Sequence, residues 1–147
     1  VRAMEKRSHV IVGGLGIART VALMTVIRLQ HVKRAIGDEA YLTGALAPRP
    51  RAGDVMLLIS WSGETESLLS WCEEAKNFGA EVYSVVGRES TLSDKTESFI
   101  LNCDVDSFYC YAAFALSPIP LSLVERLASR GLKLPEYIMS WYHSVTQ

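Results

Sequence analysis

The chain has 147 residues, a net charge of −1 and 49% hydrophobic residues. That length fits one domain with a core large enough to need no disulfide or metal staple, and with no block of like charge there is nothing to hold nucleic acid or an anionic membrane. Cys72, Cys103 and Cys110 form no C-x-x-C pair and read as free thiols in a reducing cytosol, while His9, His31 and His143 are too scattered for a zinc site.

Residues 9–12 form a short apolar strand that runs into Gly13-Gly14-Leu15-Gly16. Residues 17–32 are apolar on most sides, with Arg19 and Arg28 as the charged exceptions. That pattern predicts a helix packed on a sheet and on something else. Residues 40–43 fit a second strand, and Pro48 and Pro50 break the loop over 44–53. Val-Met-Leu-Leu-Ile at 55–59 is a continuous apolar run, the mark of a strand buried on both faces of a parallel sheet. From 64 to 78 the apolar residues recur at helical spacing, and Gly79 stops them. Residues 81–86 alternate into a fourth strand that Gly87 ends. Ser90 is an N-cap in the polar stretch 89–96, and 98–101 is a fifth strand. Beyond Asp106 the pattern is helical only, broken at Pro118, Pro120, Gly131 and Pro135. The uncharged run 107–124 contains two of those prolines and reads as a buried or interface helix pair rather than a membrane span. No signal peptide pattern opens the chain. This βαβ series implies a doubly wound α/β sandwich of three layers, with a mostly parallel five-stranded sheet. Ligands of such sheets sit at the carboxyl ends of strands, where both the 13–16 and the 60–65 turns fall.

The 60–65 turn reads Ser-Trp-Ser-Gly-Glu-Thr. The first N–H groups of a helix lack partners and carry partial positive charge. Ser60, Ser62 and Thr65 add hydroxyl donors at that point, and Gly63 permits close backbone approach. Together they can hold a phosphate. The same spacing also fits a plain N-cap, with Ser62 capping and Thr65 at the third helical position. The glycine turn has two readings as well. Gly14-x-Gly16 after a strand suggests a dinucleotide fingerprint, but its third glycine position is Arg19, too large for close helix–strand packing. Otherwise the turn simply joins strand to helix.

S-W-S-G-E-T after a buried strand resembles the S-x-S-G-x-T phosphate loop of the sugar isomerase (SIS) domain family. Gly14 and Gly16 match that family's G-x-G-x-S turn, with Ala18 where the serine would stand. Ile27-Arg28-Leu29-Gln30-His31 resembles the R-L-x-H stretch of 6-phospho-3-hexuloisomerases, and Pro120 to Glu125 the T/S-L-F-E stretch, with Val124 in place of Phe. Ser90-Thr91-Leu92 is similar to the family's S-x-L segment. The resemblance implies one SIS-like phosphosugar-binding domain over 1–147, working as an aldose–ketose isomerase without metal or organic cofactor. Its ligand would be a small-molecule sugar phosphate, and the chain would form a homodimer or homotetramer in the cytoplasm.

By that resemblance Ser60, Ser62, Gly63 and Thr65 bind the phosphate, and Gly14, Gly16, Glu64 and Ser90 line the substrate site. Glu125 abstracts the proton, and His31 shuttles protons or opens the ring. On the residues alone, His31 is better read as a helix-end histidine on the dipole, Glu125 equally fits a solvated helix glutamate, and Ser90 fits a cap. Glu64 beside an anion suits a structural role or sugar hydroxyls, and Trp61 suits packing. About eight residues precede the first strand, where family members carry a long helix, so a different assembly is expected. The alternative function is a non-catalytic phosphosugar sensor, favoured by Ala18 and the loose match at Glu125.

Overall fold

The structure is a computed structural model that describes residues 2–5, 8–35, 38–43 and 47–147. The start of the expected 44–53 loop, at 44–46, therefore lies outside the described residues. A short 3₁₀ helix (Arg2–Glu5) leads into β1 (Val10–Gly14), α1 (Ile17–Ala35) and β2 (Ala40–Leu42). Then follow β3 (Val55–Ser60), α2 (Glu66–Asn77), β4 (Glu81–Val86), α3 (Thr91–Lys95) and β5 (Glu97–Ile100). Three helices close the chain: α4 (Val105–Leu116), α5 (Ile119–Ser129) and α6 (Glu136–Thr146).

The five strands form one sheet in the order β2-β1-β3-β4-β5, and every pairing is parallel. All six residues of β3 are buried, as the unbroken apolar run requires of a central strand. Val10 pairs with Val55 and Gly14 with Ile59, so β1 and β3 end together. The chain winds outward from that pair in both directions. Right-handed crossovers then put the first helix on one face and the second on the other.

Side-chain burial confirms the layers. On one face Val10, Val12, Leu57 and Ile59 pack with Val26 and Leu29 of α1, Phe108 of α4 and Leu123 of α5. On the other, Ile11, Met56 and Leu58 pack with Leu68 and Cys72 of α2 and Leu92 of α3. Leu58 and Ile59 are fully enclosed, and each contributes about 1.5–3 kcal/mol by leaving water. The expected three-layer α/β sandwich is thus observed, with a sheet wholly rather than mostly parallel.

β2 and β5 each end one residue earlier than the sequence reading, and three further differences bear on packing or the site. β1 continues through Gly13 and Gly14, so these glycines are strand rather than turn. A Cβ on Gly13 would stand 2.8 Å from Thr43 Cγ2, and one on Gly14 2.7 Å from the Ala18 carbonyl oxygen. Close packing, not turning, is what these two positions require. Gly16, at φ +62°, makes the turn itself. α2 begins two residues later than its apolar periodicity suggests, for a reason given below. α1 extends to Ala35, and buried Lys33 holds its last turn by donating from Nζ to the Met4 carbonyl at 3.0 Å.

Val105–Ser129 is long and apolar enough to cross a membrane. It is broken, however, at Ser117–Pro118 into α4 and α5, whose Phe108, Ala112, Leu123 and Leu127 are fully buried in the core. At its far end Arg126 and Arg130 pair with the buried Glu5 carboxylate. This ties α5 to the 3₁₀ helix at the amino end of the sheet.

Candidate functional site

The strand order reverses between β1 and β3, and the crevice at such a switch point is where open parallel sheets receive ligands. A cleft of about 120 Å³ lies there. Ser60, Ser62 and Thr65 line it from the β3–α2 turn, with Leu15 and Ala18 from the β1–α1 side. Val105 and Tyr109 close it from α4, and Trp61 forms a further wall. None of these side chains carries a charge.

The turn itself is tightly specified. Gly63 sits at φ +65°, a conformation that L residues avoid. A Cβ there would lie 1.9 Å from Ser90 Oγ, so only glycine fits. Gly63 N–H donates to Ser60 Oγ at 3.0 Å, and Glu64 N–H donates to Ser62 Oγ at 3.2 Å. Both serine oxygens already accept backbone hydrogens, and they lie 3.5 Å from each other. That contact uses one hydroxyl hydrogen, since either serine can donate to the other, and the second hydroxyl keeps its hydrogen for an acceptor in the cleft. Thr65 is the N-cap of α2 (φ −66°, ψ 119°), yet its side chain makes no cap hydrogen bond. The plain N-cap arrangement with Ser62 is not what forms. The helix starts at Glu66 because the αL glycine and the turned-out Glu64 lie before it, and the first N–H groups of α2 open where the three hydroxyls gather.

Glu64 points away from that opening. Its carboxylate accepts from Thr91 N–H at 2.8 Å and from the Thr91 hydroxyl at 2.7 Å. The bonds from Thr91, backbone first, hold Glu64 below the usual carboxylate range, and nearby Arg88 acts in the same direction. Ser90 is not part of the cleft lining: with Ser93 it forms a reciprocal capping box at the start of α3. Trp61 donates from Nε1 to the Cys103 carbonyl at 2.9 Å, which fixes its ring as packing. Of the 14–16 residues, Leu15 is the one on the cleft, with Gly14 and Gly16 on either side of it.

His31 and Glu125 do not line this cleft in the same chain. α1 starts beside the cleft and runs away from it, so His31 lies about 21 Å along the helix axis from Ile17. Both His31 and Glu125 are exposed. Glu125 belongs to α5, at the amino end of the sheet, and accepts from the Tyr142 hydroxyl of α6 at 2.6 Å. The structure thus brings the three hydroxyl residues together and puts the acid and the imidazole at the opposite end. Val105 and Tyr109 escaped the sequence reading. The available signal was Asp104 just before an apolar run, which caps α4 by accepting from Ser107 N–H at 2.9 Å.

No family model matches the chain. In sequence it is 29% identical to 3-hexulose-6-phosphate isomerase of Methanocaldococcus jannaschii over 82 residues, 55% of this chain and 43% of that one. The chain spans about half the length of the curated relatives it matches. In structure it superposes with a TM-score of 0.76 and 22% identity on a Methanococcus jannaschii protein whose crystal structure was read as implying 3-hexulose-6-phosphate isomerase function, over 97% of this chain and 80% of that one. The NanR protein of Vibrio vulnificus, solved with ManNAc-6P, superposes with a TM-score of 0.71 and 19% identity over 87% of this chain and 53% of that one. The likeness first read from six residues after a buried strand extends to sequence and architecture alike: the chain has the SIS fold and resembles SIS-fold sugar isomerases.

Proposed function

We propose that residues 1–147 act as one phosphosugar-binding unit that holds the phosphate at the 60–65 turn and interconverts aldose and ketose sugar phosphates, in the manner of a 3-hexulose-6-phosphate isomerase. The observation that carries this is the pair of serine hydroxyls, linked to each other and each accepting a backbone N–H, which gather with Thr65 in the cleft beside the open N-terminus of α2. The phosphate supplies binding energy remote from the reacting carbons and orients them. Glu125 moves the proton between those carbons, and His31 serves the oxygens.

His31 and Glu125 are not among the walls of the cleft, so on this reading the remainder of the site comes from a second copy of the chain. The outward side of α1 suits that role: Ile17, Met24 and Ile27 are exposed apolar residues at helical spacing that lead to His31. The three free thiols agree with a reducing cytosol.

The test is a thermal-shift screen of hexose and hexulose 6-phosphates against the dephosphorylated sugars. Stabilisation by the phosphates alone supports the site; equal response to both rejects it. Turnover of hexulose 6-phosphate should fall about a hundredfold or more in Glu125→Gln. A second reading rests on the separation of His31 and Glu125 from the cleft and on the methyl group at Ala18. On it the chain is a phosphosugar sensor without chemistry, and ligands bind but are not converted.

A further inference from the structure

A phosphomonoester is a dianion, yet the cleft wall is neutral throughout. The turn also carries a carboxylate, Glu64. Helix dipole and hydroxyls alone must then overcome that field, unless a cation stands close by. One does. Arg88, in the loop after β4, lays its guanidinium over the Trp61 ring at 4.6 Å from the centroid. Its Nε–H donates to the Ser62 carbonyl at 3.4 Å. Trp61 and Ser62 both wall the cleft. Arg19, at the start of α1, is committed elsewhere, donating to the Thr43 carbonyl at 3.3 Å.

The hold on Arg88 is loose. It is exposed, its one bond to the turn is long, and an exposed cation–π contact contributes only about 0.5–1 kcal/mol. A dianion beside Ser62 offers the guanidinium two oxygens in the geometry it prefers. We propose that Arg88 is a ligand-recruited phosphate-binding residue: it rests on Trp61 in the free protein and moves onto the phosphate when a phosphosugar occupies the 60–65 turn, which makes the site selective for phosphomonoester dianions. The proposal rests on the phosphosugar reading of that turn. It gives the Trp61 contact a use, as the resting place of a charge whose neighbour Glu64 is already bonded to Thr91.

Trp61 itself reports the movement. With Trp71 and Trp141 changed to Phe, its emission is the only tryptophan signal. Fructose 6-phosphate should alter that emission in this background, and fructose should not. Arg88→Gln should abolish the change, weaken fructose 6-phosphate binding about fivefold or more, and flatten its dependence on salt. Arg88→Lys, which keeps the charge without the planar fork, should fall between and retain the salt dependence. If Arg88→Gln binds fructose 6-phosphate as tightly as the parent, with the same salt dependence, Arg88 is only a cover for Trp61 and the proposal is overturned. A lowered Tm with unchanged affinity has the same meaning. If the unaltered chain binds neither inorganic phosphate nor fructose 6-phosphate, the phosphosugar reading itself falls, a result distinct from loss in the variant alone.

Discussion

At position 18 the cleft wall is a methyl group. Ala18 is 3% exposed and faces the same space as Ser60, Ser62 and Thr65. Ala18→Ser should therefore add one more hydroxyl donor without lengthening the wall appreciably. A hydrogen bond to a charged group is worth about 1.5–3 kcal/mol. Calorimetry with fructose 6-phosphate should show at least about tenfold tighter binding, and unchanged affinity in a folded variant would mean that the phosphate sits elsewhere. Glu64 gives a second expectation at this scale. Its folded pKa lies below the ordinary glutamate value because Thr91 donates to it. Its contribution to stability is therefore present above the unfolded value, about pH 4, and disappears as pH falls through the lower folded value. The Tm gap between wild type and Glu64→Ala should be full near pH 6 and shrink steadily below pH 4; a gap independent of pH would show that the Thr91 tie does not depend on charge. The gathering of hydroxyls at the 60–65 turn was readable in the sequence because hydroxyls and glycine at fixed spacing after an apolar run are local features. The direction of Glu64 was not, since it depends on a loop 27 positions away.

Among the elements, α4 is the one whose importance to the cleft was hidden. Its buried side, Phe108, Ala112 and Leu116, follows plain helical spacing. Nothing local says that Val105 and Tyr109 at its start will reach the switch point. That placement follows from how β5 returns the chain: Leu101 N–H donates to the Val86 carbonyl and Cys103 N–H to the Gly87 carbonyl, which lands the start of α4 beside Trp61. Asp104→Ala removes the cap at this landing point and should cost about 1 kcal/mol in denaturant unfolding. Because the first turn of α4 walls the cleft, the same change should also loosen phosphosugar binding. Stability lost with affinity intact would show that α4 does not shape the site. The strands were legible for the opposite reason. β3 and β4 carry their apolar pattern within six residues, and their observed bounds differ little or not at all from those read off the chain. Where a strand runs into glycines, as β1 does, the boundary depends on what packs against it, here Thr43 and Ala18.

For the whole molecule, the isomerase reading requires that a phosphate at one end of the sheet meet Glu125 and His31 from the other. A single chain places them apart, and no internal movement of a packed α1 by about 21 Å is reasonable. Two copies related by a twofold axis solve the problem directly, since such an axis can set the carboxyl end of one chain against the amino end of the other. On that reading each site would take Ser60, Ser62 and Thr65 from one protomer and His31 and Glu125 from its partner. Complementation tests this. Ser62→Ala/Thr65→Ala should lack phosphate binding, and Glu125→Gln should lack the base, so each is inactive alone. In mixed dimers one of the two sites recovers a full set of residues, while the other is doubly impaired. With random one-to-one assembly half of the dimers are mixed, so activity should return to about a quarter of the wild-type level. Activity that stays at background in dimers proven to be mixed would mean that acid and phosphate turn never share a site, and the sensor reading would then stand in place of the isomerase.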